Sequence, residues 1–85
     1  MNYDDFLSWL LDKKMLSQRA AKDVVSRCKR VCKILNTRDI EISTIEKLNT
    51  NLEFAEKSVF VKSQMRRACN LWVEFGGEYE KIHHS

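Results

Sequence analysis

Apolar residues recur along most of this chain at steps of three and four, the period of an α-helix with one buried face. Phe6, Leu7, Leu10 and Leu11 predict a first helix over residues 3–13, with Trp9 at the edge of the stripe and Asp4 and Asp5 in the first turn, where the helix dipole favours anions. The break "KKMLS" follows, with Met15 and Leu16 expected to tuck inward and Ser17 to cap the next helix. Ala21, Val24, Cys28, Val31 and Leu35, broadened by Ala20, Val25 and Cys32, predict a second helix over 18–35.

"NTRDIEI" is a polar loop anchored by Ile40 and Ile42. Ser43 followed by Glu46 has the spacing of a capping box, opening a third helix over 44–55 that buries Ile45, Leu48 and Leu52 and ends at Phe54. Lys57 and Ser58 mark a turn. Val61, Met65, Ala68, Trp72 and Phe75, flanked by Phe60, Cys69 and Leu71, predict a fourth helix over 59–75. Gly76-Gly77 is expected to end it, leaving a domain over 1–77 and a short tail over 78–85 that Tyr79 and Ile82 would order in part.

The pattern therefore predicts a compact all-α bundle of four or five helices. Composition agrees: there is no proline, and 44% hydrophobic with 32% charged residues are globular proportions. A chain of 85 residues makes one domain with a modest core, burying about 60–65% of the surface that it exposes unfolded. No apolar run approaches the roughly 20 residues that span a bilayer, and the opening "MNYDDFLSWLLDKK" lacks the grammar of a signal peptide. The expectation is a soluble cytoplasmic protein that does not engage a membrane.

Charge changes the picture more than composition does. The formal net charge is only +3, but residues 13–33 hold Lys13, Lys14, Arg19, Lys22, Arg27, Lys29, Arg30 and Lys33 against Asp23, a local +7. The remaining residues carry seven basic and eleven acidic groups, −4. On the second helix Arg19, Lys22, Ser26, Lys29, Arg30 and Lys33 fall opposite the apolar stripe. A helix carrying cations at such steps can follow a phosphate backbone and release counterions, and arginine adds bidentate reach to phosphate or guanine. The fourth helix adds Lys62, Arg66 and Arg67 on its polar side.

Little else suggests chemistry. Cys28 and Cys32 lie one helical turn apart, Cys69 is single, and three cysteines without a matching second pair fit buried thiols better than zinc. His83 and His84 sit in the tail with no nucleophile at a useful spacing, and the only glycines are the adjacent pair. Neither catalysis nor a metal, cofactor or small-molecule substrate is expected. Phe6, Trp9, Trp72 and Phe75 have core spacing rather than that of base-stacking platforms, and Tyr3 and Tyr79 fall near the ends, open to exposure and without a binding role.

The segment "FLSWLLDKKMLSQRAAKDVVSRCKRVCKIL" resembles the N-terminal core-binding, SAM-like domain of phage integrases and other tyrosine recombinases. That family tends to open with Phe-Leu-x-x-Leu, then a short turn and Leu-Ser, matched here by Phe6, Leu7, Leu10, Leu16 and Ser17. Ala20, Val24 and Val31 stand where a threonine, a tyrosine and a phenylalanine are usual, which changes the details of any DNA contact while leaving a core intact. "IEISTIEKLNTNLEF" and "VKSQMRRACNLWVEF" are similar to the family's third and fourth helices, so the likeness runs over about residues 4–76.

The resemblance implies half of a clamp around a recombination site, with the second and fourth helices against duplex DNA. It would bring Arg19, Lys22, Ser26, Lys29 and Arg30 to the DNA from one helix and Lys62, Arg66 and Arg67 from the other. The family's catalytic domain has no counterpart in these residues, which leaves an excised integrase domain or a free-standing relative of phage or mobile-element origin. The alternative is a small regulator that docks the same basic helix on an acidic protein partner, since charge steering does not identify the partner.

Overall fold

Two side-chain caps start the first two helices. In the computed structural model Asn2 Oδ1 accepts from the Asp5 N–H at 3.1 Å to open α1, Tyr3–Asp12. Ser17 Oγ accepts from the Ala20 N–H at 3.1 Å to open α2, Gln18–Leu35. The structure describes residues 2–83, and their side chains as far as Glu78. Beyond α2 come α3, Ile42–Asn49, the single turn α4, Leu52–Ala55, and α5, Val59–His83. No strand occurs among the described residues, so the fold is an all-α bundle.

The core is the meeting of α1, α2 and α5, roofed by α3 and α4. Phe6 and Leu10 from α1, Ala21, Val24, Cys28 and Val31 from α2, and Met65, Ala68, Cys69, Trp72 and Phe75 from α5 are buried together with Ile40, Leu48 and Phe54. Phe6 is fully enclosed, its ring edge-on to Trp72 at 4.8 Å and 5.3 Å from that of Phe75. The two indole N–H groups are both satisfied: Trp72 donates to Asp39 Oδ1 at 3.0 Å, and Trp9 donates to Glu78 Oε2. Trp9, placed at the stripe's edge by spacing, is a buried member of this aromatic cluster. Tyr3 is half-buried rather than exposed, its ring 6.0 Å from that of Trp72.

Four expectations fail, the first three for local reasons. Met15 adopts a left-handed conformation (φ 56°) that turns the chain between α1 and α2, so its side chain points out and is 81% exposed, while Leu16 packs on the core. α3 begins two residues earlier than expected, because Glu41 rather than Ser43 is the N-cap: buried Thr44, at the third helical position, accepts with Oγ1 from the Glu41 N–H at 2.9 Å. That start leaves Ile42 exposed and only Ile40 as a loop anchor. The expected third helix is cut at Thr50, after which Asn51 Oδ1 caps Phe54 N–H at 3.0 Å and opens α4; Phe54 is buried and Leu52 points outward.

The last difference concerns Gly76-Gly77, which α5 passes through instead of ending. Neither glycine has the positive φ of a left-handed cap. The helix on either side of the glycines is tied to α1 by Glu78, which accepts from Trp9, and to the turn after α1 by the Glu74–Lys14 ion pair. The expected anchors Tyr79 and Ile82 and the His83–His84 pair have side chains outside the described residues.

Candidate nucleic-acid interface

The basic stripe of α2 follows from its core stripe by helical geometry. With 3.6 residues per turn, the residues opposite Ala21, Val24, Cys28 and Val31 are Arg19, Lys22, Ser26, Lys29, Arg30 and Lys33. All six are exposed. Ser26, the one short side chain, lies midway along the row. From residue 19 to residue 33 the stripe is about 21 Å long at 1.5 Å per residue.

No cation of this stripe forms an ion pair among the described residues, where the salt bridge is Lys14–Glu74. Asp23, the single acid of α2, is also exposed and adds only one negative charge at the margin. Lys29 is the one member with a fixed internal partner, its Nζ 4.9 Å from the centroid of the Tyr3 ring on α1. Burial, helped by the neighbouring Cys32, pushes the Tyr3 hydroxyl up to about 12, so at neutral pH the ring under Lys29 is uncharged.

The three cations expected from α5 are not gathered onto this face. α2 packs on α5 through its core stripe, where the Cys28 thiol meets the Ala68 carbonyl oxygen at 3.4 Å. Arg66 turns to the α3–α4 side: Nε donates to Asn49 Oδ1 at 2.8 Å and the guanidinium lies over Phe54, 5.2 Å from the ring centroid. Lys62 stands one turn before Arg66 on the same flank and is half-buried. Arg67 is exposed and shares by spacing the flank of Phe60 and Gln64, which borders α2.

That flank holds residues that the spacing had assigned elsewhere. Arg27 and Arg30 from α2, Lys57 and Ser58 from the turn before α5, and Phe60, Val61, Gln64 and Met65 from its start enclose a cleft of about 350 Å³. Phe60 and Val61, expected against the core, are 69% and 40% exposed. The signal was present in the sequence: Val59, Phe60 and Val61 are consecutive, and consecutive helical residues cannot share one face. A larger groove of about 760 Å³ lies between the start of α3 and Trp72–Gly77 of α5.

The cysteines have the character of core residues. Cys28 and Cys69 are fully enclosed, and Cys32 is half-buried. Burial pushes the Cys69 thiol up to about 12 and the Cys28 thiol higher still, each reinforced by neighbouring thiols. Such thiols are neutral at physiological pH. Among the described residues no three His, Cys, Asp or Glu side chains are grouped to hold a metal ion. No helix among them is long and apolar enough to cross a membrane.

No family model, curated protein or solved structure matches the chain.

Proposed function

We propose that this protein is a non-catalytic DNA-binding domain that lays the outer face of α2 along duplex DNA. The observation that carries the reading is the single exposed row of Arg19, Lys22, Lys29, Arg30 and Lys33, none of them in an ion pair among the described residues. Cations outside ion pairs give up no internal salt bridge when they meet phosphates, and each phosphate neutralised releases counterions. Arg19, which opens the row, and Arg30, near its far end, add paired donors for phosphate oxygens or guanine edges. Ser26, short and central, lets the backbone approach and offers a hydroxyl to a phosphate.

The resemblance to recombinase core-binding domains favours the same face of the same helix. It also calls for a second contact from the last helix. Arg67, exposed and sharing by spacing the flank of Phe60 and Gln64, supports one such contact, whereas Arg66 is held by Asn49 and Phe54 and Lys62 shares its flank. The DNA contact is therefore centred on α2, with one grip from α5 rather than three. A contact built mainly from phosphate neutralisation is weak, in the micromolar range or poorer at physiological salt.

Mobility shift of a labelled duplex at low salt tests the proposal. The wild type should retard the duplex. The triple variant Lys22→Glu, Lys29→Glu, Arg30→Glu should not, with an unchanged far-ultraviolet circular dichroism spectrum, since all three side chains are exposed. Absence of retardation by the wild type would sink it.

A further inference from the structure

The cleft between α2 and the start of α5 has a composition that phosphate binding does not account for. Its apolar side is Phe60, Val61 and Met65, and its charged side is Arg27, Arg30 and Lys57. No acidic residue lines it, and none of the three cations forms an ion pair among the described residues. Val59, next to the cleft in sequence, is 77% exposed, so three consecutive apolar side chains stand open to solvent beside three cations. Large apolar side chains open to water on a chain this small mark a contact surface.

We infer that this cleft docks an acidic amphipathic helix of a partner protein. An apolar side chain of that helix would seat on Phe60, Val61 and Met65, and its carboxylates would meet Arg27, Arg30 and Lys57. A volume of about 350 Å³ takes one or two large side chains, the anchor expected of helix-in-groove recognition. Charge complementarity selects the partner. A second copy of this chain, at net +3, brings mostly like charge, and its own acidic helix α1 already buries its apolar face in the core. Nucleic acid would satisfy the cations but leave Val59 and Phe60 wet. The site is independent of DNA binding apart from Arg30, which stands where the cleft meets the stripe.

The test is a titration of the ¹⁵N-labelled chain, followed by its amide resonances. The probe is a synthetic fifteen-residue peptide with leucines at i, i+3, i+4 and i+7, four glutamates flanking them and alanines elsewhere; a scrambled peptide of identical composition is the control. The ordered peptide should shift the amides of Arg27, Arg30 and Ser58–Met65, and the scrambled one should bind at least tenfold more weakly. Phe60→Ala, at an exposed position, should weaken binding fivefold or more, and Arg19→Glu with Lys22→Glu should leave it unchanged. Equal binding of both peptides, shifts on another surface, indifference to Phe60→Ala, no binding at millimolar peptide, or a sedimenting dimer that itself protects Phe60 would each overturn the inference.

Discussion

Arg66 donates from Nε to Asn49 Oδ1 at 2.8 Å and covers the Phe54 ring, which fixes this cation to the corner where α3 meets α4. An arginine so placed serves the fold before it serves a ligand. Arg66→Ala is expected to lower stability by about 1 kcal/mol through the lost charged hydrogen bond and the uncovered ring. Its affinity for duplex DNA should change by less than twofold, against a clear loss for Arg30→Ala. Chemical denaturation and a binding titration on the two variants check both halves.

Two buried thiols and one half-buried hydroxyl make stability fall in alkali. Burial holds the Cys69 thiol at about 12 against an ordinary 9.0, raises the Cys28 thiol further, and lifts the Tyr3 hydroxyl from 10.0 to about 12. A group whose ionisation is delayed by folding loses its proton first in the unfolded chain, so stability is full below about pH 9 and falls as pH rises toward 12. Each thiol contributes a slope of up to about 1.4 kcal/mol per pH unit within that window. Denaturation in reducing buffer between pH 8 and pH 10 should show the decline, and Cys69→Ala should make it shallower whatever its effect at pH 7.

The run of α5 through Gly76-Gly77 gives a prediction of opposite sign. No atom lies within 4 Å of where a Cβ would stand at either position, and neither φ is positive. Gly76→Ala and Gly77→Ala should each stabilise the protein by up to about 1 kcal/mol, the difference in helix propensity between the two residues. In a domain of this size that raises Tm by about 4–8 °C. Thermal melts of the single variants test it, and a loss of stability would mean that the helix ends at the glycines.

Much of the fold is legible from spacing where a helix is long and its neighbours lie on one side. The α2 stripe Ala21–Val24–Cys28–Val31 and its Ser17 cap can be read directly, and so can the core role of Phe6, Trp72 and Phe75. Short elements are harder, because a cap outweighs periodicity over one or two turns. A capping box of Glu41 and Thr44 in place of one of Ser43 and Glu46, and Asn51 restarting the chain as α4, each rotate a few residues and expose Ile42 and Leu52. Gly76-Gly77 reads as a stop from sequence, whereas Trp9–Glu78 and Lys14–Glu74 are contacts across more than fifty residues that no local pattern contains. The basic row on α2 was legible for the same reason as its core stripe. The separation of Arg66 from that row was not, since it depends on where α3 ends.

The central claim is that the α2 row binds duplex DNA by neutralising phosphates, and the salt dependence of affinity measures this most directly. Fluorescence anisotropy of a labelled duplex, titrated at several concentrations between 50 and 200 mM salt, gives the slope of log K against log salt. Five exposed cations outside ion pairs predict a slope of about −4 to −5 for the wild type, made shallower by about 1 in each of the single variants Lys22→Ala and Arg30→Ala. A wild-type slope near zero, or one that both single variants leave unchanged, would contradict the account.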